Sequence, residues 1–182
     1  MPEIPYKPLE GFAPVEVLTS ILERRGGKLL NIDRMLLHSV PFTQGWGALL
    51  GKVRNELSLP EKLLELAICA VCGVLGAEYE MHHHGPFFLK AGGTPAQFNA
   101  LRDLKNAIDR DSLFSPQERS VLRLALEMTR MGRAPAGLLD QLRDEFGETA
   151  LVELVGVIAS YNMVARFVVT LAVDVEDSVV RI

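Results

Sequence analysis

Three titratable side chains, Glu65, Glu80 and His84, occur within one short stretch of the chain, residues 65–84. Glu65 lies in a segment with apolar residues or cysteines on nearly every side of a predicted helix, so that segment should be buried. A buried carboxylate needs a hydrogen-bond donor or takes up a proton, so Glu65 requires a partner nearby. Glu80 and His84 are four residues apart and would share one face of a helix. The spacing therefore predicts an acid–base site built from two carboxylates and one imidazole.

We assign different roles to these three candidate catalytic residues. Carboxylates placed close together ionise at different pH values, so one pocket can hold an acid and a base at neutral pH. Glu80 would act as general base or acid, with His84 as its proton partner. Glu65 would be the buried group that sets the tautomer and the charge of His84. In the structural alternative, Glu80 and His84 form an ion pair on the helix surface and contribute little more than local stability.

Five further residues are candidates for substrate binding. Tyr79 and His83 flank the catalytic candidates in sequence, and a tyrosine hydroxyl can bind a substrate carboxylate or oxyanion, although an aromatic residue at a helix junction more often packs in the core. Trp46 and Tyr161 are candidates for pocket walls, and a lone tryptophan is usually a core residue. Asn162 is the fifth candidate, and within an apolar helix it needs a hydrogen-bond partner whatever its role.

Metal binding would be another use of the same side chains. His82, His83 and His84 point in directions about 100° apart on a helix, so they cannot all bind one metal ion. A metal site would use His84 together with Glu80, which gives an oxygen-rich mixed site. The spacing matches no zinc signature. We therefore expect no cofactor, with a metal at Glu80 and His84 as the alternative.

The chain has two cysteines, Cys69 and Cys72, and their Cys-x-x-Cys spacing is that of redox-active pairs. A reactive thiol needs partial exposure and positively charged surroundings that lower its pKa. Both cysteines lie instead in the middle of the apolar predicted helix. We predict that they are packed and unreactive, as small buried apolar residues.

Residues 65–84 resemble the signature of the carboxymuconolactone decarboxylase family, which includes the alkylhydroperoxidase D-like proteins. The resemblance rests on Glu65, on the run Gly76-Ala77-Glu78-Tyr79-Glu80, and on the histidines that end at His84. In the redox members the signature is a glutamate followed twelve residues later by Cys-x-x-Cys-x-x-x-His. Ala77 and Glu80 stand where those cysteines would be, and His84 stands where the histidine would be. The resemblance covers most of the chain, about residues 29–174, but its specific motif is this one stretch.

The resemblance implies an all-α fold, an alkylhydroperoxidase D-like helical bundle, with its site at a helix junction. It also implies a homo-oligomer, which we expect to be a dimer, trimer or hexamer. In redox relatives the equivalent glutamate belongs to a proton relay that runs through the cysteines and the histidine. Glu65 and His84 are kept here while the two thiols are replaced. This combination favours proton transfer without disulfide exchange.

The predicted function is therefore that of a carboxymuconolactone decarboxylase-like enzyme, a lyase whose Glu/Glu/His pocket acts on a small organic acid or lactone. One alternative is an alkylhydroperoxidase or peroxiredoxin-type antioxidant protein, which would require Cys69 and Cys72 as its thiol pair. Another is a non-catalytic helical oligomer that binds a small molecule or a metal ion. In each case the expected partner is a small molecule.

Length and charge exclude several other classes of function. A chain of 182 residues fits one domain that buries about 70% of the surface of its unfolded form. The net charge is −4, the isoelectric point is near 5.6, and basic residues form no stripe, so we expect no nucleic-acid partner. The first residues contain no apolar signal core behind a basic region, so we expect a cytoplasmic location.

Residues 1–14 are predicted to be an extended arm, and helices are predicted from residue 15 to about residue 173. We divide the chain into an N-terminal arm and first helix (1–28) and a single helical domain (29–182). Helix starts are predicted at Ser58, Thr94 and Ser115, each of which is a candidate N-cap. The second of these should open one helix that extends to about residue 110. The β-like run at 178–182 is too short to build a sheet.

A long apolar helix is predicted at 149–173. Its length and composition approach those of a membrane span. Glu153, Asn162 and Arg166 interrupt it, and charged groups at mid-span are costly in lipid. We therefore expect a core or subunit-interface helix and no membrane partner.

Overall fold

The computed structural model describes residues 1–8, 14–110, 112–176 and 180–181, and they form two compact units. The first unit comprises 1–56 and 170–182, and the second comprises 57–169. The predicted all-α class is confirmed, since the strands in the described ranges are a two-residue antiparallel ladder between β1 (Lys28–Leu29) and β2 (Val180–Arg181). The division into an arm at 1–28 and a domain at 29–182 stays a prediction. Residues 9–13 of the arm, and residues 178, 179 and 182 of the β-like run, fall outside the described residues.

The first unit contains helices α1 (Val15–Arg24), α2 (Asn31–Leu36) and α3 (Val40–Asn55). Pro41 lies in the first turn of α3, where a missing backbone N–H costs nothing. Asp33 is buried beneath two arginines, with Arg25 Nε 2.7 Å from its Oδ2. The carboxylate also accepts the backbone N–H of Leu30 at 3.1 Å. This buried charge is therefore satisfied inside the unit and needs no ligand.

The second unit contains the remaining helices, and α4 packs against both α5 and α8. Gly73 of α4 lets the backbone of Leu101 approach closely, because a Cβ at Gly73 would lie 2.3 Å from the Leu101 carbonyl oxygen. The elements are α4 (Glu61–Leu75), α5 (Glu78–Lys90), α6 (Pro95–Ala100), a 3-10 turn (Leu101–Asp103), α7 (Leu104–Ala107), α8 (Pro116–Met131) and α9 (Leu138–Thr170).

The junction between α4 and α5 positions the predicted catalytic residues. Helix α4 ends at Gly76, which has left-handed backbone angles (φ 66°, ψ 29°) that favour glycine. Ala77 follows, and its N–H bonds the carbonyl of Cys72 at 2.9 Å, which closes the end of α4. Helix α5 begins at the next residue. The chain therefore turns within two residues, and the apolar core of α4 is followed directly by the titratable residues of α5.

Two of the three predicted helix caps are confirmed and one is wrong. The hydroxyl oxygen of Thr94 accepts the Gln97 N–H at 3.1 Å, and that of Ser115 accepts the Glu118 N–H at 3.2 Å. Ser58 does not cap α4, which begins after Pro60 without a side-chain cap. Its N–H and hydroxyl instead bond the carboxylate of Glu153 at 2.9 and 2.8 Å. Ser58 therefore bonds the distant carboxylate of Glu153 and does not bond the backbone at the start of α4, as the local sequence had predicted.

The single helix predicted from Pro95 to about residue 110 is also wrong. Helix α6 ends at Ala100, a 3-10 turn follows, and α7 is one turn long. The 3-10 turn begins at Leu101, whose carbonyl is the group packed against Gly73 of α4. Close packing of this backbone on α4 therefore replaces a regular helix here.

Among the described helices, α9 is long and apolar enough to cross a membrane by length and composition. Gly147 breaks it with non-helical angles (φ 83°, ψ 168°), and residues such as Leu154, Ile158 and Val164 are buried within the protein. A buried apolar helix of this kind is typical of the core of a folded bundle. The absence of a membrane partner and the cytoplasmic location stay predictions.

Candidate active site

The inner face of α4 supplies a carboxylate and both thiols to the site. Glu65, Cys69 and Cys72 follow the spacing i, i+4 and i+7, so they lie on one face of the helix. All three are buried, and Glu65 is 7% exposed. Glu65 is therefore buried because the apolar helix that contains it is buried.

Helix α5 supplies the second carboxylate and the imidazole. Glu80 and His84 lie one turn apart on the same face and are 3% and 7% exposed. This burial excludes the surface ion pair that was the structural alternative for these residues. Gly85, the next residue, allows α6 to approach, since a Cβ there would lie 2.6 Å from the ring of Phe98. The segment around His84 is thus packed closely on the side that faces α6.

The structure brings the three predicted catalytic residues into one cluster, with the imidazole of His84 between two carboxylates. Nδ1 of His84 lies 2.8 Å from Oε2 of Glu65, at hydrogen-bond distance. Nε2 of the same ring lies 3.5 Å from Oε2 of Glu80. Each ring nitrogen therefore faces a different carboxylate, and their catalytic roles stay predictions.

A fourth residue, Tyr161 of α9, completes the cluster. Its hydroxyl lies 3.0 Å from Nε2 of His84, and the two rings meet edge to face with centroids 5.0 Å apart. Sequence analysis placed Tyr161 only on a pocket wall and missed this contact. The available signal was that a buried tyrosine needs a partner for its O–H group. The sequence does not indicate that this partner lies on α5.

The geometry defines how the cluster can move a proton. When His84 is neutral with its proton on Nδ1, that N–H donates to Glu65 and Nε2 accepts the O–H of Tyr161. When a proton is added at Nε2, the new N–H faces the oxygen atoms of Tyr161 and Glu80. A hydrogen-bond partner at one ring nitrogen fixes the tautomer of a histidine and so determines what the other ring nitrogen can do. The arrangement can therefore take up a proton at Nε2 and release it again.

The cysteines are packed, as predicted, and carry protonated thiols. Both side chains are fully buried, and burial raises the pKa of Cys69 and of Cys72 well above the ordinary value for a thiol. The nearby carboxylates of Glu65 and Glu80 raise both pKa values further. A reactive cysteine needs the opposite environment, exposed and positively charged.

The other predicted substrate-binding residues have contacts of their own. Tyr79 is buried, with its ring 4.6 Å from that of the half-buried His83. Asn162 donates to Thr129 Oγ1 at 3.0 Å, so its amide links α9 to α8. Trp46 is buried in the first unit. Substrate binding by these residues stays a prediction.

The described residues contain no group of three or more His, Cys, Asp or Glu side chains arranged to hold a metal ion. Glu65 and Glu80 face opposite nitrogens of His84, so both carboxylates do not converge on one point beside the ring. A metal at Nε2 would find Glu80 and Tyr161 as neighbours. The expectation of no cofactor stays a prediction.

Two cavities in the structure are lined by other residues. One, of about 380 Å³, lies in the first unit and includes Glu16, Arg24 and Thr43 in its lining. The other, of about 290 Å³, lies in the second unit along α6 and α7, and includes Asn99 and Arg110. Neither lining contains Glu65, Glu80 or His84. We assign the candidate site by its buried acid–base chemistry, which neither cavity offers.

Comparison with known proteins finds one family model that matches part of the chain. Residues 41–127 match the model of the Carboxymuconolactone decarboxylase family, a range that contains Glu65, Glu80 and His84. No curated protein matches the chain.

Solved structures share the fold at low sequence identity. An uncharacterized peroxidase-related protein from Silicibacter sp. TM1040 has a TM-score of 0.76 and 19% identity, covering 97% of this chain and 94% of that one. A second, from Ralstonia eutropha JMP134 and described as an alkylhydroperoxidase AhpD core, has a TM-score of 0.78 and 17% identity, with coverages of 94% and 92%. The debrominase Bmp8, as a cysteine-to-alanine variant in complex with 2,3,4-tribromopyrrole, has a TM-score of 0.73 and 17% identity, with coverages of 97% and 95%.

Proposed function

Since residues 41–127 match the model of the carboxymuconolactone decarboxylase family, we propose that this chain is a thiol-free acid–base enzyme of that kind, acting on a small organic acid or lactone. One observation carries the proposal: the buried imidazole of His84 is bonded to Glu65 at Nδ1 and faces Tyr161 and Glu80 at Nε2. In this arrangement a carboxylate holds Nδ1 of the histidine, and Nε2 can exchange protons.

The reaction we propose is proton transfer at a carbon atom next to a carbonyl group. Glu80, as the general base, removes the proton from that carbon and passes it to Nε2 of His84, while the electrons of the C–H bond move into the carbonyl group to form an enolate. Glu65 stabilises the imidazolium that results, because it accepts the Nδ1–H bond. Returning the proton from Nε2 to carbon completes the cycle. General acid–base catalysis of this kind contributes about 10²–10⁴ in rate.

The thiol peroxidase alternative has weaker support in this chain. Two of the fold relatives are described as peroxidase-related, but a peroxidase of this type needs a thiolate nucleophile. Cys69 and Cys72 are fully buried and their pKa values are raised. The positions where the redox members carry cysteines hold Ala77 and Glu80. The debrominase bound to tribromopyrrole supports a small ring compound as the type of ligand that this fold can hold.

Three further parts of the proposal concern the state of the protein. We propose that it is a homo-oligomer, that it works without a metal, and that it is cytoplasmic. Native mass spectrometry of gently purified protein tests the first two in one spectrum. A metal-free oligomer agrees with the proposal, whereas about one metal per chain that is lost in His84→Ala would contradict it.

The proposed reaction can be tested before the natural substrate is identified. A panel of small lactones, ketones and keto acids is incubated with the protein in deuterium oxide, and proton NMR follows the loss of the signal from the carbon next to the carbonyl. We expect exchange by the unaltered protein and a fall of about 10²-fold or more in His84→Ala. Replacing both Cys69 and Cys72 with serine is the matched control and should leave exchange unchanged. Exchange that requires the thiols, or no exchange of any compound, contradicts the proposal.

A further inference from the structure

We propose that the cavity lined by α1 and α3 in the first unit binds a small organic carboxylate, and that the guanidinium of Arg24 is the group that recognises the anion. The lining of this cavity shares no residue with the candidate active site. The binding site therefore goes beyond the proposed function and stands whether or not the proposed reaction is correct.

Two arginines of the first unit face one buried carboxylate. Arg25 holds Asp33 closely, with Nε 2.7 Å from Oδ2, and Oδ2 also accepts the backbone N–H of Leu30 at 3.1 Å. Arg24 reaches the same carboxylate only through one terminal nitrogen, at 3.5 Å, and its guanidinium has no other partner among the described residues. Because arginine keeps its proton in proteins, these three side chains carry excess positive charge whether Asp33 is ionised or protonated. Arg24 supplies that excess.

Arg24 lies in the wall of a cavity of about 380 Å³, a volume within the range of small-molecule sites. Its side chain is only 28% exposed. Burial lowers the pKa of Arg24, and the charge of Arg25 lowers it further. An anion bonded to the guanidinium would offset both effects, and a carboxylate can accept two parallel N–H bonds from an arginine.

The rest of the wall leaves room for an apolar body. On α1, Val17 and Ile21 are buried and lie seven and three positions before Arg24, so they share its face. On α3, Gly47 has no side chain, and a Cβ there would meet nothing within 4 Å. Glu16 also lines the cavity, but it is exposed and precedes Arg24 by eight positions, about 12 Å along the helix. The cavity therefore offers a cation at one end and apolar surface beside it.

Arg166 of the second unit is a contrasting case. Among the described residues its guanidinium bonds only neutral oxygens, those of Asn162 and Thr129. Its side chain is exposed and lines neither of the two cavities. Charges attract more strongly away from water, so the half-buried Arg24 is the better site for an anion.

Three probes test the proposal: benzoate is an anion with an apolar ring, benzamide is neutral and of nearly the same shape, and inorganic phosphate is an anion without an apolar body. Each is titrated into the full-length protein labelled with ¹⁵N, and the shift of the Ile21 amide signal gives its dissociation constant at this cavity. We expect benzoate to bind at least about tenfold more tightly than either of the others. Equal or tighter binding of benzamide or phosphate overturns the proposal, and so does the failure of benzoate to shift Ile21.

Two variants locate the anion. Arg24→Gln removes the cation, and it should fold because Asp33 keeps Arg25 and the Leu30 N–H. Gly47→Leu fills the cavity without changing any charge, and it should be at least as stable as the unaltered protein because glycine disfavours a helix interior. Each should weaken benzoate binding at least about tenfold by the same Ile21 signal.

Lys52→Gln is the matched control, since it also removes one cation from the first unit but Lys52 is exposed, pairs with Glu56 and lies outside the cavity lining. It should leave the dissociation constant of benzoate unchanged. Benzoate affinity that survives either Arg24→Gln or Gly47→Leu contradicts the proposal, and so does an equal loss of affinity in Lys52→Gln.

Discussion

The Nδ1 atom of His84 lies 2.8 Å from Oε2 of Glu65, so a buried imidazole–carboxylate hydrogen bond joins α5 to α4. The two residues are separated by nineteen positions in sequence, and the short turn at Gly76 brings them together. An ionised Glu65 can only accept a hydrogen bond, and in that state the bond places a proton on Nδ1 and leaves Nε2 to face Tyr161 and Glu80. The predictions below follow from this arrangement and from the packing that supports it.

Removing the hydroxyl of Tyr161 should slow proton transfer more than it reduces stability. Tyr161→Phe keeps the ring that packs against His84 but loses the O–H group at Nε2. Loss of one such hydrogen bond costs about 1 kcal/mol of unfolding free energy, and we expect deuterium exchange to slow by about tenfold. Tyr6→Phe is the control, since the Tyr6 hydroxyl accepts the Asp174 N–H in the first unit. Unaltered deuterium exchange in Tyr161→Phe would show that the Tyr161 hydroxyl takes no part in proton transfer.

The two cysteines should resist alkylation in the folded protein. Burial raises the pKa of Cys69 and of Cys72, and the carboxylates of Glu65 and Glu80 add to this effect, so little thiolate forms even at mildly alkaline pH. Iodoacetamide labelling followed by mass spectrometry should give little modification in buffer near pH 8 and modification of both residues in urea. Rapid labelling of either cysteine in buffer would support the thiol alternative.

Glu118 should make stability depend on pH in the acidic range. Burial acts to raise its pKa, but Lys62 and the Ser115 N–H stabilise the carboxylate, and the net effect lowers the pKa. A group with a depressed pKa contributes stability above its unfolded value, about 4.3 for glutamate, and loses it as the pH falls through the folded value. The unfolding free energy should thus fall between about pH 5 and pH 3, and less steeply in Glu118→Gln.

Glu56→Gln is the matched control for this titration, because Glu56 forms an exposed ion pair with Lys52 that should contribute little. Urea unfolding at each pH provides the free energies. If the pH dependence of Glu118→Gln equals that of the unaltered protein, Glu118 is not the source of the effect.

Gly73 should be intolerant of any side chain. A Cβ there would lie 2.3 Å from the backbone oxygen of Leu101, and a backbone group cannot turn aside as a flexible side chain can. We expect Gly73→Ala to lower the unfolding free energy by about 1–3 kcal/mol. Gly156→Ala on α9 is the control, since a Cβ there meets nothing within 4 Å. That change should raise stability by about 0.5–1 kcal/mol, and similar effects of both changes would contradict the close packing at Leu101.

Local sequence predicts the parts of the structure that depend on neighbouring residues. The apolar face of α4 and the i, i+4 spacing of Glu80 and His84 are local features, and the family motif links them to Glu65. The caps at Thr94 and Ser115 are local as well, since each bonds a residue three positions away.

The features that sequence analysis missed depend on distant partners. Tyr161 meets His84 across 77 positions, and Ser58 meets Glu153 across 95. The break after Ala100 accompanies the packing of Leu101 on Gly73, which lies on another helix. None of these contacts leaves a periodic or capping signal in the sequence, because each requires the folded arrangement of two separate elements.

The most direct test of the account is ¹⁵N NMR of the His84 imidazole across a range of pH. We predict that the proton of the neutral ring lies on Nδ1, because Glu65 accepts it, and that Nε2 carries no proton in that state. In Glu65→Gln the preference for the Nδ1 proton should weaken, and deuterium exchange should fall with it. A neutral His84 whose proton lies on Nε2 would contradict the proton relay.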